Sequence, residues 1–339
     1  MPEEVRAALT AAWRQEVPPL ATALYARWWQ LETWLRSLVY MELKTAFGPL
    51  WASELPPRSA KRQDSESEIR YMATADAQSR LAYTDVSGLM AIIERHWDLF
   101  KGSLISKGVW LGRAEELRLI RNRIGHCRRP HADDLARLEQ TLRDLEPGAF
   151  SALSAFNRRS RTIRDRDDAV VDAWVHREHE AAMRLIDHAE RQYETSFELS
   201  CSRRPWSDRV PPTVTISGTR GYVWHARWYF RGHRWLDLSK FWNADYSPEQ
   251  RDAILLVCAS GPSDIEVSFS ALEDPRVIAD AIGACFDTVL MLLRRGVGPF
   301  HVDYQAWTRE YSNLDPRIQA GGPWAIVDAS TFPISLFGA

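Results

Sequence analysis

The chain has 339 residues, of which 45% are hydrophobic and 26% charged, a composition that suits two folded domains and excludes a low-complexity or fibrous chain. A formal net charge of -2 and a pI near 6.5 exclude a global attraction to nucleic acid, so any such surface has to be a local patch. Four widely spaced cysteines, Cys127, Cys201, Cys258 and Cys285, with no CxxC pair and no secretory leader in the opening MPEEVRAALTAAW, point to free thiols and a cytoplasmic protein.

Residues 1–156 carry helical periodicity. Leu24, Trp28, Leu31, Leu35 and Leu38 recur at three- and four-residue spacing and predict a long amphipathic helix over residues 20–46, ending near Gly48-Pro49. Residues 56–68 read as a polar loop leading to a short helix that ends near Tyr83. Leu89, Ile92, Ile93, Trp97 and Phe100 mark the next helix, with Thr84 or Asp85 available to cap it. A helix beginning near Leu111 follows, and Leu135, Leu138, Leu142 and Leu145 describe another that Pro147-Gly148 should end. These elements form a helical bundle.

The sequence Arg121-Asn122-Arg123-Ile124-Gly125-His126 concentrates a permanently charged donor, an amide and an imidazole in six residues. Such a set can cut RNA without a metal, because an imidazole moves protons near neutral pH and an arginine binds phosphate. Five arginines, Arg118, Arg121, Arg123, Arg128 and Arg129, lie within twelve residues that hold no acidic side chain, giving the local basic patch. At 100° per residue Leu117, Ile120, Ile124 and Cys127 fall within about 80° of one another and should face the bundle core. Arg118, Arg121, Asn122, Gly125, His126 and Arg129 then point away from it. Asn122 and His126 are i, i+4 neighbours, so the amide should orient the imidazole. Arg121 stands about 140° from His126 and about 7.5 Å along the axis, so two such helices, paired across a two-fold axis, are the expected way to build one site.

Arg121-Asn122-x-x-x-His126 resembles the RNxxxH form of the motif of the HEPN superfamily, helical domains that commonly act as metal-independent endoribonucleases. Glu32-x-x-Leu35-Arg36 on the first long helix, Ile92-Ile93-x-x-x-Trp97-x-x-Phe100, and Leu117-x-x-Ile120 ahead of the motif are similar to that family's arrangement over about residues 20–145. The resemblance implies that His126 is the general base or acid, that Arg121 stabilises the scissile phosphate, and that Asn122 orients His126 or holds the helix pair. It implies RNA-binding roles for Arg118, Arg123, Arg128 and Arg129, with no metal or other cofactor and a homodimer. A toxin or antiviral defence role follows, with an antitoxin or regulatory protein as partner. The alternative is a non-catalytic RNA-binding or protein-interaction module. Where some toxins of the family carry a modifiable tyrosine, two residues after the histidine, this chain has Arg128.

Residues 157–195 read as a connecting segment, polar at first (NRRSRTIRDRDD) and then helical from Ala169 to about Tyr193. Within it His176, His179 and Glu180 stand at metal-ligand spacing, but the pattern is not HExxH and a solvated helix face is expected. Residues 196–339 change to period two, with strands expected at 214–217, 222–230, 254–258, 265–269 and 324–327. The alternating Tyr222, Trp224, Ala226, Trp228 and Phe230 read as a core face. A helix over residues 275–295 should pack on the strands; Asp280 and Asp287 interrupt its apolar run and argue against a membrane span. The fold class is α+β: an all-α N-terminal bundle and then an α+β domain with a small, mainly antiparallel sheet.

Overall fold

The computed structural model describes residues 3–15, 17–71, 80–161, 167–211, 214–261, 263–296, 307, 311, 314–320 and 337. Two compact units emerge: one comprises Met1–Tyr40, Leu55–Ser151 and Ser335–Ala339, and the other Met41–Glu54 and Ala152–Ile334. They do not follow a single cut in the sequence, because the end of the long second helix belongs to the second unit.

Among the described residues, the regular elements of the first unit are all helices. Its elements are α1 (Glu3–Arg14), most of α2 (Pro19–Phe47), α3 (Pro57–Ser67), α4 (Val86–Arg95), α5 (Trp97–Phe100), α6 (Lys107–Gly125) and most of α7 (Asp134–Ser154). The predicted stripe of Leu24, Trp28, Leu31, Leu35 and Leu38 is buried, as are Leu89, Ile92, Ile93 and Phe100. Asp85 caps α4 by accepting from the Gly88 N–H at 2.8 Å. The expected polar loop at 56–68 is instead α3. Its stabilisation is polar and therefore invisible to apolar periodicity: Pro57 starts it, where a missing N–H costs nothing, and Arg58 and Arg62 on successive turns both reach Asp85, at 3.0 and 3.2 Å. Nor does Pro147-Gly148 stop α7, which continues to Ser154. Gly148 is there for close approach, since a Cβ would come within 2.3 Å of the Ser103 carbonyl oxygen.

The second unit is α+β. Its sheet runs β1 (Ser160–Arg161), β2 (Thr195–Arg203), β3 (Tyr222–Phe230), β6 (Asp264–Ser270), β5 (Ile254–Ala259) and β8 (Ile318–Ala320) in that spatial order. All neighbours pair antiparallel except β5 with β8. A separate ribbon joins β4 (Arg234–Trp235) to β7 (Arg294–Arg295). One sheet face, with Trp224, Ala226, Trp228, Ile265, Val267 and Phe269, packs in a core with residues of α8 (Ala169–Trp174), α9 (Glu180–Tyr193) and α12 (Pro275–Leu292). The short helices α10 (Leu238–Trp242) and α11 (Pro248–Ala253) complete that core through Phe241, Trp242 and Ala253.

The expected connecting helix is thus two helices built into the second unit. The break falls at His179, which caps α9, stacks on Trp174 at 5.4 Å and meets Asp280 at 3.0 Å. Residues 214–217 are not a strand. The Ile216 and Ser217 N–H groups go to the carboxylate of Asp168, at 2.7 and 2.8 Å, instead of to a neighbouring strand. β2 was not expected because one of its two faces is polar throughout (Ser196, Glu198, Ser200 and Ser202), and the helix over 275–295 ends at Leu292, with Arg294–Arg295 in the ribbon. The expected strand at 324–327 lies outside the described residues. Among the described residues no helix is long and apolar enough to cross a membrane.

Candidate active site

Helix α6 is fixed on its inner side by Trp110, Ala114, Leu117 and Ile120, all buried at helical spacing. Polar bridges tie it to α7 along its length. Arg113 reaches Asp144 at 3.2 Å, Arg137 reaches Glu116 at 2.7 Å, and Arg123 pairs with the buried Asp134. The three pairings descend along one helix as they ascend along the other, so α6 and α7 are antiparallel and the motif lies at the turn between them. Asp134 also accepts from the His131 N–H at 2.9 Å, which anchors the connecting loop.

The helix ends one residue before the motif does. His126 leaves helical geometry (φ -110°, ψ 17°), and Cys127 adopts the left-handed conformation at φ 50°. The Arg128 N–H bonds the Arg123 carbonyl at 2.8 Å and the Cys127 N–H bonds that of Ile124 at 3.2 Å. This pair of bonds is a Schellman cap with cysteine where glycine is usual. Three expectations change in consequence. Cys127, placed on the core stripe by the wheel, is exposed, and Ile124 is only half-buried. The Asn122 to His126 hydrogen bond is not made. And the 140° between Arg121 and His126 no longer describes the pair, because His126 is off the wheel.

Arg121 instead runs along the helix toward its end. Its Nη1 lies 3.3 Å from the place where a side chain on residue 125 would begin, so the guanidinium occupies the notch that Gly125 leaves. That notch is one residue from the exposed His126. Among the described residues, Arg121, Asn122 and His126 make no side-chain hydrogen bond or ion pair. Arg128 and Arg129 are exposed beside them, and Arg118 is exposed with only a 3.9 Å approach to Glu115. Arg123 is the exception in the patch, held by Asp134.

Sequence reading did not anticipate the parts played by Asp134 and Gly125. Asp134 stands at the start of a leucine-periodic helix, a position where acidic residues collect, and Gly125 lies four residues after Arg121, on the same helix face; both signals were present. The His176 and His179 pair proves structural: His176 meets Asp172 at 2.8 Å and His179 caps its helix. No group of three metal-ligating side chains comes together among the described residues.

Residues 29–146, less than half of the chain, match the family model described as Swt1-like HEPN. No curated protein and no solved structure matches the chain.

Proposed function

With its N-terminal half identified as a HEPN domain of the Swt1-like type, a kind of domain associated with ribonuclease or RNA-binding activity, we propose that this protein is a metal-independent endoribonuclease. The observation that carries the reading is the end of α6, where, among the described residues, the exposed imidazole of His126 has no partner and the guanidinium of Arg121, also without one, is seated on the neighbouring Gly125. His126 takes the proton of a ribose 2′-OH, or supplies one to the departing 5′-oxygen. An imidazole does either near neutral pH. Arg121 binds the scissile phosphate and meets the charge that develops on it. The products are a 2′,3′-cyclic phosphate and a 5′-hydroxyl, and single-stranded RNA is the target because its unstacked sugars reach the in-line geometry.

The site is completed by a second copy of the chain. Support comes from the outward face of α6, where exposed Leu111 and Leu119 share the side that carries Arg118 and Asn122, and where Gly108 and Gly112 leave the helix surface open. A self-complementary contact along this face sets two motifs against each other. The cellular role that fits is a toxin or antiviral effector restrained by an antitoxin or regulatory protein.

The test is cleavage of mixed RNA in EDTA. His126→Ala is expected to cut at least about 100-fold more slowly than the unaltered protein, the usual worth of a positioned acid or base. Equal activity in both would overturn the enzyme reading and leave an RNA-binding module. Mixing Arg121→Ala with His126→Ala chains should restore part of the activity, because one of the two sites in each mixed dimer is intact; no recovery would sink the shared site.

A further inference from the structure

The second unit contains a recess of about 420 Å³ lined by His188, Gln192, Tyr193, Arg234 and Arg295. Its floor is unusual. The Arg234 side chain is only 5% exposed, yet its Nε has no hydrogen-bond partner, and the Glu194 carboxylate comes no closer than 3.9 Å. Its Nη2 makes a long 3.4 Å bond to the Gln192 carbonyl, and its guanidinium lies 5.7 Å from the Tyr193 ring. A nearly buried guanidinium with one N–H unsatisfied, one long hydrogen bond and its nearest carboxylate 3.9 Å away is under-neutralised, so an anion in the recess beside it is favourable.

The second arginine arrives by strand register. Arg234 pairs with Arg295 across the β4–β7 ribbon, and Arg295 is exposed with no ion-pair partner among the described residues. Two guanidinium groups, with His188 near them, suit a dianionic phosphate, which accepts several charge-assisted hydrogen bonds at once. The recess is larger than a lone ion requires and falls in the size range of small-molecule sites. Two of its walls are rings: His188 and Tyr193 meet edge to face at 5.4 Å, with His188 exposed and Tyr193 half-buried. Rings beside paired arginines are what a nucleobase joined to a phosphate needs.

We propose that this recess binds a nucleoside phosphate, the phosphate held by Arg234 and Arg295 and the base lying against His188 and Tyr193. The site does not depend on the nuclease reading, for it uses none of the residues of the α6 motif. The ligand chemistry has two sources, a free nucleotide or the phosphorylated end of a strand.

Calorimetric titration of the full-length protein tests it, using AMP, inorganic phosphate, and a short DNA oligonucleotide with and without a 5′-phosphate; DNA lacks the 2′-OH and so survives any nuclease activity. AMP is expected to bind in the sub-millimolar range and phosphate more weakly. Arg295→Ala, at an exposed position, should weaken AMP by about tenfold or more, the effect of one charge-assisted phosphate contact. Arg234→Lys keeps the charge but loses the fork and should do the same. AMP binding without the oligonucleotide identifies a free nucleotide as the ligand; binding of the 5′-phosphorylated strand but not its 5′-hydroxyl form identifies a strand end. Either result supports the site. Absence of binding by both AMP and the phosphorylated strand overturns it, as does unchanged AMP affinity in Arg295→Ala. Inorganic phosphate binding as tightly as AMP overturns the assignment to a nucleotide.

Discussion

At Gly125 two demands meet in one residue. Glycine near the end of a helix lowers its stability, yet a methyl group there would stand 3.3 Å from the Arg121 Nη1 and push the guanidinium aside by a few tenths of an ångström. Gly125→Ala is therefore expected to raise stability, by up to about 1 kcal/mol, while cutting RNA cleavage by roughly tenfold or more, since a shifted phosphate ligand costs the reaction alignment. Thermal melting and a cleavage assay on the same sample separate the two effects. A variant that loses activity and stability together would show that the notch is structural only. The next residue but one offers the converse change. Cys127 holds a left-handed conformation that glycine adopts freely, so Cys127→Gly should stabilise the protein by about 1 kcal/mol and leave cleavage intact. Urea unfolding measures the first and initial rates the second.

Elements are held by polar groups as much as by apolar stripes, and the reach of sequence reading was decided there. Helix α2, the Leu117 and Ile120 face of α6, and strands β3, β5 and β6 were legible because their side chains repeat with the period of the backbone. What escaped was set by distant partners. Helix α3 rests on Asp85, residues 214–217 wrap around Asp168, and the end of α6 follows a cap that no wheel anticipates. In the candidate site the motif residues were readable, but the path of Arg121 and the exposure of Cys127 were not, because both depend on where the helix stops. The sheet shows the same principle on its polar face. His225 is fully buried between Ser202, 2.7 Å from its Nε2, and Ser268, 2.9 Å from its Nδ1, with Glu266 3.3 Å from Nδ1 and itself paired to Arg159. Burial pushes the His225 pKa below its ordinary value, although Glu266 pulls the other way. An unfolded histidine titrates near pH 6.5, so between that pH and the depressed native value only the unfolded chain gains the proton. Stability from this group is therefore present above about pH 6.5 and lost as pH falls below it. Melting temperatures at pH 7.5 and 5.5 should differ less in His225→Gln than in the unaltered protein; an identical difference would mean that the imidazole is not the titrating group.

At the scale of the whole molecule, chain order and compact units disagree in two places. Phe337 belongs to the first unit, where it is buried against the edge of Trp34, with its carbonyl accepting from Arg27 at 2.7 Å and Gln30 at 2.9 Å. Phe337→Ala is expected to destabilise that unit by about 3 kcal/mol, at the low end for loss of a buried aromatic ring. Chemical denaturation followed by tryptophan fluorescence would report it, and no shift in the midpoint would mean that Phe337 does not anchor to α2. Residues 41–54 make the opposite excursion and belong to the second unit. There Glu42 is fully buried and receives Arg204 Nε at 3.1 Å and Trp206 Nε1 at 2.6 Å, while Lys44 meets Glu273 at 2.6 Å.

That second excursion bears on ancestry. The stretch that matches the HEPN family contains Glu42 and Lys44, whose partners are encoded more than a hundred residues downstream. A recombination that moved residues 1–156 alone into another gene would carry a carboxylate and an ammonium shaped for neighbours left behind. The HEPN-like stretch of this chain is thus not self-contained: two of its buried charges are neutralised only by residues that lie beyond it.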